Sequence, residues 1–187
     1  MNESLATNSK LKKETFDDFV TRLRHDCVGD GVKEHYTANA IFTVQAKTPI
    51  YGMEADYADA IAIFIESDED CNSPDEFYDS EEDYQQELDV AADLMETGKA
   101  FKDLDYSEKL EILKEVEGIR IVGLVWRWVH VNSHFTRDAA EAFIARKKHD
   151  YKHGLRVYVD AQTYCGEFEA IKAGLLNGSI KFEEQEK

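Results

Sequence analysis

The sequence lacks any stretch that could anchor the chain in a membrane or direct it across one. No apolar run of about 18 residues or more occurs, which is the length that a transmembrane helix needs. Residues 1–14 are polar and contain no apolar segment of the kind that secretory signal peptides carry. We therefore expect a cytoplasmic protein that does not contact a membrane.

Cysteine is also scarce and offers no disulfide framework. The chain has three cysteines at wide spacing, Cys27, Cys71 and Cys165. An odd number of widely spaced cysteines is typical of proteins in a reducing compartment, whereas small secreted proteins carry even sets at close spacing. The cysteine pattern thus agrees with a cytoplasmic location.

The short motifs that mark common enzyme classes are missing. The sequence contains no GxSxG, HExxH or GxGxxG pattern, and no GxxxxGK followed by Ser or Thr. Two carboxylates close together would carry little information, because the chain has 39 acidic residues. We predict a protein that is not an enzyme and that needs neither a cofactor nor a metal.

A set of histidines and cysteines leaves one alternative open. Zinc is bound by imidazole and thiolate groups, and a Cys–His pair can act as a nucleophile. A small zinc-dependent protein, or an enzyme that uses Cys27 or Cys165, is therefore the alternative. We favour histidines that satisfy local carbonyl groups. The first pair lies at the end of a predicted strand and the second at the end of a predicted helix, so neither has the rigid i, i+4 geometry of a pair within a helix. The residues concerned are His130, His134, His149, His153, Cys27 and Cys165.

Basic residues are absent from a long central segment. From Thr48 to Gly98 there is no Lys, Arg or His, whereas the same 51 residues include 17 of the 39 acids. The rest of the chain has 22 acidic and 22 basic residues, so this acidic segment (48–98) accounts for the whole net charge of −17. Because phosphate contacts require Lys and Arg, we expect no direct binding to nucleic acid or anionic lipid.

Aromatic residues in the C-terminal part could form a base-stacking platform. Such a platform also requires a surplus of positive charge, and this region is close to neutral. We therefore expect these side chains to belong to the core: Trp126, Trp128, Tyr158 and Tyr164.

Part of the acidic segment has the spacing of a calcium-binding loop. Asp68, Asp70 and Asn72 occupy positions 1, 3 and 5 of an EF-hand-like pattern, and Asp79 occupies position 12. However, Ser73 stands where the loop needs glycine, and an apolar strand precedes the pattern where a helix is needed. We interpret the segment as a solvated acidic loop.

The hydrophobic pattern predicts an α+β fold in one compact domain, 1–187, with a small, mainly antiparallel sheet and an acidic loop-helix segment. Residues 1–10 and 183–187 are polar, and we expect them to be disordered. Helices are predicted from the spacing of Phe16 to Cys27, from Ser80 onwards with a stop at Gly98, after N-caps at Ser107 and Thr136, and over Glu167–Leu176. Strands are predicted over Ala40–Ala46, Ala60–Ile65, Ile119–Val131 and Leu155–Val159, with a turn at Pro49 and Gly52.

Two stretches resemble parts of small accessory proteins of bacteriophages and prophages. They are residues 35–57, HYTANAIFTVQAKTPIYGMEADY, and residues 135–160, FTRDAAEAFIARKKHDYKHGLRVYVD. Together they cover about a quarter of the chain. The resemblance implies a phage genomic setting. By analogy it also implies an anti-defence role such as that of anti-CRISPR or anti-restriction proteins.

These observations lead to a specific hypothesis. Carboxylates held on ordered backbone can imitate nucleic-acid phosphates and occupy the basic cleft of another protein. We expect a non-enzymatic inhibitor in the host cytoplasm that binds a basic, nucleic-acid-handling host protein. The predicted contact residues are Asp68, Glu69, Asp70, Asp75, Glu76, Asp79, Glu82 and Asp83, with Tyr78 and Tyr84 as aromatic anchors.

Two further options concern assembly. A virion or replication accessory protein that binds a basic partner would have the same charge distribution. A homodimer could form through the Val- and Trp-rich strand Ile119–Val131, provided that this strand lies at a sheet edge.

Overall fold

A computed structural model of the chain describes residues 3–54, 57–65, 68–95 and 98–184, with the backbone only for residues 68–70. The helices are α1 Lys13–Cys27, α2 Val32–His35, α3 Pro74–Ser80, α4 Glu82–Leu94, α5 Tyr106–Glu115, α6 Arg137–Lys147 and α7 Gly166–Asn177. The strands are β1 Ala40–Met53, β2 Ala60–Ile65, β3 Asp68–Cys71, β4 Ile119–His134 and β5 Leu155–Ala161.

The strands form one sheet in the order β3-β2-β4-β1-β5. β1 pairs antiparallel with β5, from Ala40 opposite Ala161 to Ala46 opposite Leu155. β2 pairs antiparallel with both β3 and β4. The predicted α+β class is therefore confirmed. β4 lies between β2 and β1 in the strand order, and its residues Ile119–Leu124 pair with β2, so this part of the strand is not a sheet edge. The homodimer stays a prediction.

Packing divides the chain into two compact units. One, the neutral unit, comprises residues 1–48 and 128–187, and the other, the acidic unit, comprises residues 49–127. The long strands β1 and β4 each contribute residues to both units. The organisation of 1–187 as a single domain stays a prediction.

The acidic unit has a core on each face of β2. Ile61 and Ile63 belong to one cluster of buried side chains, and Ala62 and Phe64 belong to another. A strand that is buried on both faces reads as a continuous apolar run, which explains the sequence AIAIFI. The first cluster is completed by side chains from β3, α3, α4, α5 and the intervening loop: Cys71, Phe77, Leu88, Ala92, Phe101, Leu104, Ile112, Leu113 and Val116.

The neutral unit packs α6 against β1 through Phe42, Val44 and Ala140, and packs α1 against α7 through Leu23 and Leu175. Its N-terminal residues 3–10 contact helices of the same unit, and the disorder expected for residues 1–10 stays a prediction. The Ser4 hydroxyl donates to Asp18 at 2.8 Å, and Arg146 donates to the carbonyl of Ala6 at 3.1 Å. Of the segments predicted to be disordered, residues 1–2 and 185–187 lie outside the described residues.

Candidate protein-binding surface

Charge is divided very unequally between the two units. The acidic unit contains 23 acidic and 6 basic residues, a net charge of −17, whereas the neutral unit contains 16 of each. The acidic segment 48–98 therefore lies almost entirely within one folded unit. That unit also includes acids of α5, which the sequence-based hypothesis left out because basic residues follow Gly98.

Two of the predicted contact carboxylates are already paired with lysines of the same unit. Asp75 accepts a hydrogen bond from the ammonium group of Lys109 at 2.7 Å. Asp79 accepts one from Lys102 at 2.6 Å, which raises the pKa of that lysine. Both lysines come after residue 98, so the segment without basic residues does not reveal the pairings. Asp75 and Asp79 therefore tie α3 to these two lysines, and a partner would compete with the lysines for them. Their role as contact residues stays a prediction.

Glu76 has a local structural role at the start of α3. The Ser73 hydroxyl accepts a hydrogen bond from the Glu76 amide at 3.1 Å, and the Glu76 carboxylate accepts one from the Asn72 amide at 3.0 Å. These bonds satisfy backbone donors at the helix N-terminus. The side chains of Asp68, Glu69 and Asp70 lie outside the described residues, although their backbone forms β3.

The two tyrosines predicted as anchors pack within the acidic unit. The Tyr78 ring stacks on Phe101 with centroids 5.3 Å apart, and its hydroxyl donates to Asp89 at 2.8 Å, which raises the pKa of Tyr78. Tyr84 packs against Phe77 with centroids 5.7 Å apart. Both side chains are half-buried. Their rings cover apolar side chains in the core of the acidic unit, as aromatic residues beside a core commonly do.

Several carboxylates of the acidic unit that remain open to solvent lie on α4. Glu82, Asp83 and Glu87 are exposed, and none forms an ion pair with a residue that the structure describes. Asp83 and Glu87 are four residues apart, which is slightly more than one helical turn and about 6 Å along the axis. The sequence-based hypothesis included Glu82 and Asp83 but not Glu87, which lies on the same face of α4 as Asp83.

The acids Glu111 and Glu115 of α5 are also exposed. α4 and α5 both contribute to the core cluster of the acidic unit, so their outer faces are held by packed helices. The candidate surface therefore consists of the exposed residues of α4 and α5. We refer to it as the α4–α5 surface.

The histidines and cysteines of the zinc alternative do not converge. The ring of His130 is hydrogen-bonded to Ser133 at 2.9 Å, and His149 lies 3.0 Å from Asp150. Burial raises the pKa of the Cys27 thiol, which disfavours the thiolate that a metal ligand or nucleophile needs. Burial also lowers the pKa of His134, which favours its neutral imidazole. Within the ranges that the structure describes, no group of three His, Cys, Asp or Glu side chains is placed to hold a metal ion.

The calcium-like spacing also fails structurally. Helix α3 begins at Pro74, in the middle of the twelve-residue pattern, so the segment is not a continuous loop. Its last residue, Asp79, is the ion-pair partner of Lys102. The interpretation as a single acidic loop is likewise wrong, because β3 and α3 occupy most of it.

Three of the four C-terminal aromatics are not core residues. Trp128 and Tyr158 are exposed, and the Arg156 guanidinium lies 4.2 Å from the Trp128 ring centroid and 5.7 Å from that of Tyr158. Tyr164 is fully exposed. Arg156 also donates to Gln45 on the neighbouring strand, at 2.8 Å and 3.0 Å. The guanidinium therefore already contacts both rings.

None of the described helices combines the length and the apolar character that crossing a bilayer requires. No family model, curated protein or solved structure matches the chain. The resemblance to phage accessory proteins therefore stays a prediction, and the function must be argued from the α4–α5 surface and its charge.

Proposed function

We propose that the protein is a non-enzymatic inhibitor that uses its acidic unit as a nucleic-acid mimic and binds the basic cleft of a nucleic-acid-handling host protein. An anti-CRISPR or anti-restriction role in the host cytoplasm is the specific form of this proposal. The observation that carries it is the confinement of the net charge of −17 to residues 49–127, with open carboxylates on the packed helix α4.

The physical basis is electrostatic complementarity. A nucleic-acid-binding cleft carries Lys and Arg at phosphate spacing and attracts any polyanion of suitable size. Carboxylates fixed on a helix lose less conformational entropy on binding than a flexible acidic tail would. We expect association to be fast and the affinity to fall steeply with salt.

The test is inhibition of purified RNA-guided nucleases and restriction endonucleases in a DNA-cleavage assay. The variant combines Glu82→Lys, Asp83→Lys and Glu87→Lys, which changes the net charge of the acidic unit from −17 to −11. We expect inhibition to weaken by roughly 100-fold, because about 1 kcal/mol is lost per reversed contact.

The matched control reverses three exposed acids of the neutral unit, Glu141, Glu183 and Glu184. It has the same total charge as the test variant and should inhibit like the wild type. Equal inhibition by the wild type, the α4 charge-reversal variant and the control variant would overturn the proposal. Capture of a host protein that added duplex DNA cannot displace would instead favour the virion or replication accessory alternative.

A further inference from the structure

An apolar groove lies on the α4–α5 surface. Its lining includes Ala91 and Leu94 from α4, Met95 directly after α4, and Ile112 from α5, and its volume is about 530 Å³. Leu94 is 79% exposed, and Val90, one turn earlier on the same helix face, is 54% exposed. Large side chains at this exposure, four residues apart and beside a groove, are typical of a surface that is covered in a complex.

Acidic side chains border the groove and the exposed apolar residues Val90 and Leu94. Asp83, Glu87, Val90 and Leu94 follow one another at intervals of four, three and four residues, so they lie on one face of α4. On α5, Glu111 and Glu115 belong to the groove lining, and Lys114 is the one cation among its lining residues that the structure describes. This face of α4 is thus acidic near the N-terminal end of the helix and apolar near its C-terminal end. The part of α5 that lines the groove is mainly acidic.

We infer that the groove binds a basic amphipathic helix of the partner protein. The inference rests on the proposed function and names the element that the partner presents. Apolar residues at i, i+3, i+4 and i+7 of that helix fill the groove around Leu94, and its Lys and Arg residues meet Asp83, Glu87, Glu111 and Glu115.

Charge complementarity favours a basic amphipathic helix over a second copy of the chain, nucleic acid, anionic lipid or a neutral helix. A second copy of the chain would bring two units of charge −17 together, which like-charge repulsion opposes. Nucleic acid and anionic lipid are repelled for the same reason. A neutral apolar helix would leave the surrounding carboxylates without partners, whereas a basic helix satisfies both the apolar and the acidic parts of the surface.

The probe is a synthetic, fluorescein-labelled peptide of leucine and lysine with the amphipathic helical pattern. Its control is a peptide of the same composition with the pattern scrambled. Binding to the full chain is followed by fluorescence anisotropy. We expect the patterned peptide to bind roughly tenfold more tightly than the scrambled one, because only the patterned peptide buries a continuous apolar face.

Leu94→Ser should remove that preference, and the double variant Glu111→Lys with Glu115→Lys should weaken the binding of both peptides. Ile171→Ser, a substitution of an exposed apolar residue on α7, is the matched control and should bind like the wild type. Equal binding of the two peptides to the wild type, or an unchanged preference in Leu94→Ser, would overturn the inference.

The cleavage assay separates this failure from failure of the proposed function. If Leu94→Ser inhibits the nuclease like the wild type while the α4 charge-reversal variant does not, the groove is not used and the electrostatic proposal stands. If the charge-reversal variant also inhibits fully, the proposed function itself is overturned.

Discussion

At the scale of single residues, two lysines determine which carboxylates a partner can reach. Only 7% of the Lys109 side chain is exposed, and its ammonium group donates to Asp75 at 2.7 Å and to the Lys102 carbonyl at 2.8 Å. The side chain of Lys102, paired with Asp79, is 56% exposed. A buried charge depends on its partners much more than an exposed one does, because water cannot replace them.

Asp75→Asn should therefore destabilise the protein by about 1–3 kcal/mol, since it leaves the buried Lys109 ammonium without its counter-charge. Asp79→Asn is the matched substitution at the exposed pair and should change the free energy of unfolding little. Urea denaturation of both variants measures the difference. Equal effects of the two substitutions would show that the burial of Lys109 does not matter.

Residue-level reasoning from the sequence found the acidic segment but not the local partners within it. Glu82 and Asp89 are seven residues apart, a spacing that places both on one face of a helix. In the structure Asp89 accepts hydrogen bonds from Tyr78 and from the Phe101 amide, whereas Glu82 faces solvent. Periodicity identifies a face of a helix, but which polar residues turn inward depends on neighbours that are distant in the sequence.

At the scale of elements, the apolar pattern predicted the correct type for most helices and strands. The predicted bounds of β2 match the structure, and those of α7 differ by one residue at each end. Gly178, in the left-handed conformation, ends α7. β1 instead continues to Met53, through the Pro49 and Gly52 that indicated a turn. β1 is hydrogen-bonded to β4 in the sheet, and pairing with a neighbouring strand overrides local turn signals.

Capping also differed from the prediction in α5. The helix begins after Asp105, whose carboxylate accepts from the Glu108 amide at 2.9 Å, while Glu108 accepts from the Asp105 amide at 2.8 Å. Ser107, the predicted N-cap, lies inside the first turn. The reciprocal pair at Asp105 and Glu108 satisfies two backbone donors, whereas a single hydroxyl at Ser107 would satisfy one.

Gly123 of β4 lies very close to neighbouring atoms of the acidic unit. A Cβ at this position would lie 2.5 Å from the Met53 carbonyl oxygen and 3.0 Å from Ala58. Gly123→Ala should therefore cost about 1–3 kcal/mol of stability, because a backbone atom must move to make room.

Gly166→Ala is the matched control for this prediction. Gly166 lies at the start of α7, where an added methyl group would meet no neighbouring element within 4 Å, so alanine should stabilise the protein by about 0.4–1 kcal/mol. Thermal unfolding followed by circular dichroism measures both variants. A Gly123→Ala protein as stable as the wild type would contradict the close approach to Met53.

At the scale of the whole molecule, the unequal division of charge governs stability as well as binding. The acidic unit carries −17 in 79 residues, and this self-repulsion opposes its compact state. The few ion pairs at Lys99, Lys102 and Lys109 offset only a small part of it. Stability should thus depend on the ionic strength of the solution.

Added sodium chloride should raise the melting temperature, because screening over about 8 Å at physiological ionic strength weakens repulsion among the many acids more than attraction in the few pairs. The α4 charge-reversal variant, with less repulsion to screen, should show a smaller rise than the wild type. Differential scanning calorimetry at increasing salt measures both. A melting temperature that falls with salt would mean that the ion pairs dominate.

The same division has a practical consequence for handling the protein. On a quaternary-ammonium resin or a positively charged sensor chip, adsorption should occur through residues 49–127, since the remaining residues carry no net charge. Protein held in that way would have α4 turned towards the solid support. A binding experiment on such a support would then report no interaction even for a genuine partner, so attachment through a tag on the neutral unit is the appropriate format.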